Sequence, residues 1–579
     1  MLGIRVRDTT TANALGKFWA FMLMWAVALV VLIFEFIERL GFSPTDDGFI
    51  LAQTYRILHG QVPHRDFISV TPAGSPLLHV VDFVIPLPLL EAARLVGLLE
   101  VVTYTVLFAL LLLDRPLTRW RGWEFGLVTV AVLVNVNTFP VMGWPTIDGL
   151  LFIAVGLVAL RSGIRRQSLA LIFGSLSLIG VAAVMKQSFF PAPLIALVWV
   201  FHDSRQRQRK KGITRLVTGL LFSMGPLAIY VLVIAVLGGW RSMLIQTTTL
   251  APTFHDILFF LTDATGRSLF AALIMTLGGV LLFSSNEDSS RTKTFGIDVW
   301  FRIGATVVLF LVPVSQRFAS NAGTWATQMF WALAFFLVGQ RLKGRWDWVG
   351  VSALGVAGMT MLSVGYATPG LVAGSILLYF AHRLWSGVDL GRNWRRQALL
   401  TAGVAGLISI SIAAVHAARS YPYYDSGAPH LTATLGDVAT GLEGIRTNET
   451  TAAYMRDIAT CIRRFPAASV AVLPDNPVIY PTLHLRDPFP IDWLLPLAYR
   501  SSVDRIIGTA HLLNERGDYL VLFQPVQAIE LFLDDHAGLV NRAGELARSD
   551  KVLNQIDRAL GNGVVVRCGV FVGRYSAPA

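Results

Sequence analysis

Runs of about twenty apolar residues recur along this chain from Phe18 to Val415. Each can cross a hydrocarbon layer of about 30 Å as a helix, and no soluble core accommodates so many. They lie near 18–40, 90–113, 124–140, 147–160, 169–185, 190–201, 216–237, 268–283, 299–315, 325–340, 347–365, 368–385 and 398–417. The expected fold is therefore an α-helical polytopic membrane protein with about 13 transmembrane helices. Charged residues are 15% of the 579, against about 25% in an average soluble protein. That excludes a disordered chain and an ordinary cytosolic enzyme. Two cysteines exclude a disulfide scaffold and a Cys-rich zinc site.

The net charge of +11 invites a nucleic-acid reading, but its distribution opposes one. Residues 418–579 carry 15 Lys/Arg against 17 Asp/Glu, so the whole excess lies in the first 417 residues. It sits in short loops between apolar runs. Alternate loops and the leader (Arg5, Arg7, Lys17) hold 23 basic residues, and the intervening loops hold six. This alternation marks the cytoplasmic side. It places the N-terminus inside and, with thirteen spans, the C-terminus outside. The first run is too long for a signal-peptide core and no small-residue cleavage site follows it. The block Arg205-Gln-Arg-Gln-Arg-Lys-Lys211 reads as a strong topological anchor.

The chain then divides into a transmembrane part, 1–417, and an extracytoplasmic α/β domain, 418–579. The first part includes a long outside loop, 41–89. In the tail, Ser469–Pro474, Asp518–Phe523 and Gly563–Arg567 read as buried strands. Residues 449–464, 502–516 and 550–560 read as helices between them, which suggests a largely parallel sheet. Cys461 and Cys568 both fall here, and the sequence is equally consistent with a disulfide and with two buried thiols. Asn448-Glu-Thr450 matches a glycosylation sequon, a pattern this short arising mostly by chance.

The first outside loop concentrates the chemistry. Asp46 and Asp47 follow the first span by a few residues. Phe49, Ile50, Ala52, Ile57 and Leu58 then fit an amphipathic helix along the membrane surface, ended by Gly60 and Pro63. Taken alone, Thr45 or Asp46 reads as the cap of that helix. The acidic pair, however, sits at an apolar boundary and is followed by a Tyr- and Arg-bearing helix. A Gly/Pro-rich return, Thr71-Pro-Ala-Gly-Ser-Pro76, leads back to the bilayer.

This arrangement over 44–79, with the topology of the whole chain, resembles the GT-C superfamily. More narrowly it resembles the PMT/ArnT-like, family 39-type, integral membrane glycosyltransferases. Two departures are Asp47, where the family often has Glu, and Gly74-Ser-Pro76, where many members have Pro-Pro. The resemblance implies a polyprenyl-phosphate-linked sugar as donor, used on the extracytoplasmic face with inversion. The acceptor is a lipid, glycan or protein hydroxyl. Asp46 matches the family's catalytic Asp, the general base, and Asp47 the neighbouring acid. Two adjacent carboxylates can also hold a divalent ion, but the PMT-like branch generally does without one, so no metal or other cofactor is expected.

Physical chemistry agrees with that donor. Its tail lies in the bilayer and its sugar at the interface, so the base must sit there too. Inverting transfer needs a carboxylate to take the acceptor's proton, and the lipid phosphate leaves with cationic help. Asp148, the only acid of the second outside loop, reads either as a further catalytic acid or as a helix cap. Trp144 beside it reads as a sugar platform or an interfacial anchor. Positive-inside bias makes outside cations scarce, so Lys186, Arg317, Arg56 and Arg65 are the candidates for the lipid phosphate. His59, His64 and His79 lack the spacing of a helical zinc pair. Asp66 reads as a residue that fixes the loop.

The rival class is a polytopic transporter or flippase of a lipid-linked or small-molecule substrate. No internal repeat supports it, and the acidic pair lies in a loop rather than mid-span. No nucleotide-phosphate loop is present. The expected location is the plasma (inner) membrane of a bacterium.

Overall fold

The structure is a computed structural model. It describes residues 9–138, 140–207, 212–249, 318–342, 346–362, 369–385, 401, 403–409, 412, 425–495, 499 and 502–578. The apolar runs in this set are helices. They are α1 (Thr9–Ile33), α4 (Leu89–Leu113), α5 (Gly122–Thr138), α6 (Pro145–Arg166), α7 (Leu169–Met185), α8 (Ala192–Arg207) and α9 (Gly212–Val236). After a short α10 (Trp240–Thr249) come α11 (Phe318–Leu342), α12 (Trp348–Met361) and α13 (Gly370–Trp385). Four described helical segments are long and apolar enough to cross a membrane: Gly16–Glu38, Leu89–Leu113, Pro145–Arg166 and Ile213–Val236. Shorter apolar helices accompany them, and the chain is a multi-pass membrane protein. The runs expected at 268–283 and 299–315 lie outside the described residues, as does most of 398–417.

Without a hydrophobic drive between helices in lipid, close packing and polar contacts hold a bundle together. Asn135 of α5 does this twice. It donates to Thr105 of α4 at 2.9 Å and accepts from the Gly374 N–H of α13 at 2.8 Å. Tyr104 of α4 donates to the Leu371 carbonyl at 2.7 Å.

The tail contains β1 (Ser469–Leu473), β2 (Tyr519–Phe523), β3 (Val564–Cys568) and β4 (Phe571–Ser576), in the order β1-β2-β4-β3. Only β1 and β2 are parallel; β4 pairs antiparallel with both neighbours. The expectation of a largely parallel sheet is corrected here. The cause is β4, which follows β3 after a two-residue connection, too short for anything but a hairpin. Helices α14 (Glu449–Arg464), α15 (Val503–Arg516) and α16 (Lys551–Ala559) flank the strands. Cys461 and Cys568 are disulfide-bonded, with Cα atoms 5.7 Å apart. Asn448 of the sequon is buried and caps α14 by accepting from the Thr451 N–H at 2.8 Å.

The loop expected outside, 41–89, does not lie free on a membrane surface. It contains α2 (Asp46–Leu58) and α3 (Gly74–Leu78), the latter running into a 3-10 turn, His79–Phe83. Phe42, Leu51 and Ala52 share one apolar core with Leu442, Ile445, Tyr480 and other tail residues. Backbone bonds stitch the two together: Gly41 N–H to Arg446 O (2.9 Å), Arg446 N–H to Arg39 O (2.9 Å) and Ile68 N–H to Pro490 O (2.7 Å). The expected surface helix is therefore an internal one, covered by the tail. Its buried face includes Asp46, Asp47, Gln53, Thr54 and Arg56 as well as its apolar residues.

Candidate active site at the start of α2

The acidic pair opens α2, where the unpaired N–H groups and the helix dipole favour negative charge. Both residues are buried. Their surroundings differ. Arg94 of α4 reaches Asp47 with Nη2 at 2.8 Å and Nε at 3.2 Å. The Ser43 N–H donates to the same carboxylate at 2.9 Å. Arg94 also donates to the carbonyls of Glu38 and Gly41, so one guanidinium ties the end of the first span, α2 and α4 together. The Asp46 N–H donates to Ser43 Oγ at 3.2 Å.

The tail closes over this point. Thr45 donates to the Asp475 carbonyl at 3.0 Å, and the Val478 N–H meets Pro44 O at 3.4 Å. Gly48 lies so close that a Cβ there would stand 2.1 Å from the Val478 nitrogen. One turn beyond Asp46, Phe49 packs against Trp144, the residue before α6 (centroids 6.1 Å apart), and Trp493 of the tail (5.7 Å). Three separate stretches of sequence thus converge beside the acids. Aromatic faces are the usual support for the apolar side of a sugar ring.

The far end of α2 is a structural anchor. Arg56 pairs with Asp492 and Asp487 of the tail, each at 2.7 Å, and donates to the Phe489 carbonyl at 2.8 Å. Burial works against its charge, but the two carboxylates outweigh it and hold the guanidinium above its ordinary value. Burial pushes both carboxyls up and Arg56 pulls them back. Arg65 is exposed and paired with Asp66, which also accepts from the Val62 N–H. His64 is buried between Gln246 and Tyr230. None of these contacts directs Arg56 or Arg65 at a lipid phosphate. Lys186 is buried, with its ammonium 2.8 Å from Thr146 Oγ1, two residues before Asp148. Arg317 lies outside the described residues.

Asp148 does not join the acidic pair through any of these bonds. It faces His79 of the first loop, Oδ1 to Nε2, at 3.4 Å. His79 Nδ1 bonds Asp82 at 2.8 Å. Burial opposes the imidazolium, and the carboxylates of Asp148 and Asp82 outweigh that, so His79 titrates well above its ordinary range. Burial raises Asp82.

No family model matches the chain, and no curated protein does. Solved structures do. The crystal structure of ArnT from Cupriavidus metallidurans in the apo state is similar over 96% of this chain and 97% of that one, at 13% identity and a TM-score of 0.48. ArnT bound to undecaprenyl phosphate is similar over 96% and 98%, at 10% identity and a TM-score of 0.45. The apo oligosaccharyltransferase of Archaeoglobus fulgidus follows over 88% and 71%, at 12% identity and 0.43. These neighbours are GT-C glycosyltransferases. Likeness this distant leaves the activity to be argued from the chain's own residues.

Several residues of the site escape sequence reading. Arg94 and Glu100 stand inside an apolar run, and an ionisable residue in a span is a signal by itself. Asp487 reads as a turn residue in Arg486-Asp-Pro488, and nothing local reveals that it and Asp492 meet Arg56 more than 400 positions away. Phe49 and Trp493 likewise become a pair only through the docked tail.

Proposed function

We propose that this protein is a membrane glycosyltransferase that moves a sugar from a polyprenyl-phosphate donor to an acceptor hydroxyl on the extracytoplasmic face. The observation that carries the reading is the start of α2. A buried acidic pair lies at the end of the first span, with Asp47 held by Arg94 and Phe49 packed between Trp144 and Trp493 one turn on. The division of labour follows from Arg94. Both carboxylate oxygens of Asp47 are engaged by Arg94, so Asp47 is a positioning residue and Asp46 is the base. The acceptor hydroxyl attacks the anomeric carbon with inversion, its proton passes to Asp46, and the polyprenyl phosphate leaves. Lys186 and Arg317 remain the cations for that phosphate. Thirteen spans, an inside N-terminus and an outside tail in a bacterial inner membrane complete the reading.

The test is transfer by the purified full chain in liposomes, offered a panel of polyprenyl-phosphate sugars. Asp46→Asn should lower turnover by about 10²–10⁴-fold, the range of a lost general base, while keeping the native elution profile. Equal turnover by native and variant chains would remove Asp46 from the chemistry.

A further inference from the structure

The acids that sequence reading leaves apart from Asp46 form a cluster of their own. His79, Glu100 and Asp148 each place a ligand atom within 4.8 Å of the other two. All are at most 5% exposed. Glu100 lies eleven residues into α4, about 16 Å along the helix axis, where an uncompensated charge is expensive. Around it, Glu100 Oε2, Asp148 Oδ2 and Asp82 Oδ1 are buried and accept no hydrogen bond among the described residues. Three carboxyls thus face one imidazole. No arginine or lysine pairs with Asp82, Glu100 or Asp148 among the described ion pairs, unlike Asp47 and Asp487.

We infer that this cluster is a binding site for one divalent transition-metal ion, of the zinc or manganese class. The ligands are His79 Nε2 and the carboxylates of Glu100 and Asp148. The geometry of His79 carries the choice. Its Nδ1 is taken by Asp82 at 2.8 Å, and Nε2 is the nitrogen turned towards Asp148, so the ion binds by displacing the Nε2 proton. A carboxylate behind a histidine, orienting its other nitrogen, is the usual outer shell of a metal ligand. Asp82 is thus a positioning residue. Ligands at about 2.0–2.2 Å from a tetrahedral ion stand about 3.4 Å from one another; His79 Nε2 and Asp148 Oδ1 already have that separation, and a pair at the 4.8 Å limit closes by about 1.4 Å. One imidazole with two carboxylates suits zinc or manganese better than calcium or magnesium, which favour oxygen alone. Gly143 leaves room for the ring, since a Cβ there would stand 2.9 Å from His79 Cε1. The site does not depend on the glycosyl-transfer reading, because binding is measured without a donor.

The experiment strips the purified full chain with chelator and titrates it with Zn²⁺ or Mn²⁺ alone. Metal content and thermal midpoint are read together. One equivalent per chain and a raised midpoint are expected. Glu100→Gln and Asp148→Asn should each weaken binding at least 100-fold, and Asp82→Asn about 10–100-fold. Should a variant fail to fold, pulsed electron paramagnetic resonance of Mn²⁺ on the native chain decides. Coupling to a single imidazole nitrogen supports the site. No stoichiometric uptake, uptake unchanged in Glu100→Gln and Asp148→Asn, or bound manganese without nitrogen coupling overturns it.

Discussion

Helix α2 and the cluster around His79 both bury carboxylates, but they balance the charge differently. At the start of α2, Arg94 answers Asp47, and at its end Arg56 answers Asp487 and Asp492. Each arginine also satisfies backbone carbonyls, so its guanidinium is a mechanical joint between span, loop and tail. Among the described residues, the His79 cluster has three carboxyls and only an imidazole to oppose them. A buried charge without a partner is costly, and a buried pair is strongly weakened by removing one member. The α2 sites therefore carry their own cations, although Asp492 Oδ2 accepts no hydrogen bond among the described residues, while the His79 site is the one suited to receive something positive.

The comparison is sharpest when one group is removed from each side. Arg56→Ala leaves two buried carboxylates facing each other and should cost about 3–5 kcal/mol of stability or prevent folding. Arg94→Ala, which exposes a single carboxylate to the same loss, should fall at the lower end of that range. Glu100→Gln in metal-free protein should do the opposite and leave the thermal midpoint unchanged or raised, because it removes one excess carboxylate. A Glu100→Gln chain as damaged as Arg94→Ala would erase the distinction between the two sites.

A smaller effect tests whether the start of α2 needs the tail in contact. Gly48→Ala places a methyl against the Val478 backbone rather than against a movable side chain tip. Overpacking of this kind costs about 1–3 kcal/mol. The expected result is a lower thermal midpoint with faster protease cleavage between residues 474 and 495, and reduced transfer. An unchanged midpoint would mean that the tail can lift from α2 without loss.

What could be read from the sequence follows the range of the interactions involved. Apolar runs, loop charges and the acidic pair are local signals, and Asp46 and Asp47 are found at the start of the helix expected from them. The strands at 469, 519 and 564 are also local. The pairing of β2 with β4 is not, and neither is the burial of α2. An amphipathic pattern states which face avoids water without stating whether lipid or a distant domain covers it. On a surface helix Arg56 reads as a phosphate cation, and it is an anchor because Asp487 and Asp492 dock on it. The sequence offers His79 no histidine partner at helical spacing, because its neighbours Glu100 and Asp148 come from two other helices.

The mildest test of the tail's place beside the acids uses pH. Asp475 is buried behind Thr45, with Oδ1 accepting no hydrogen bond among the described residues. Burial pushes its carboxyl up to about 7, against weaker opposition from hydrogen bonds with Gln524, Ala528 and Thr45. Between its ordinary value near 3.8 and about 7, the folded chain therefore holds a proton that the unfolded chain has lost. By linkage this contribution makes stability fall as pH rises through that window, and it is flat above it. One group changes stability by at most about 1.4 kcal/mol per pH unit, so the native chain should lose about 1 kcal/mol between pH 6 and 7 from this source. Asp475→Asn keeps the shape and cannot ionise, so its midpoint should lack that slope and exceed the native one at pH 7.5. Parallel pH profiles for the two chains would show that Asp475 is solvated, and that the tail does not seal the approach to Asp46 as its contacts with Thr45 and Pro44 imply.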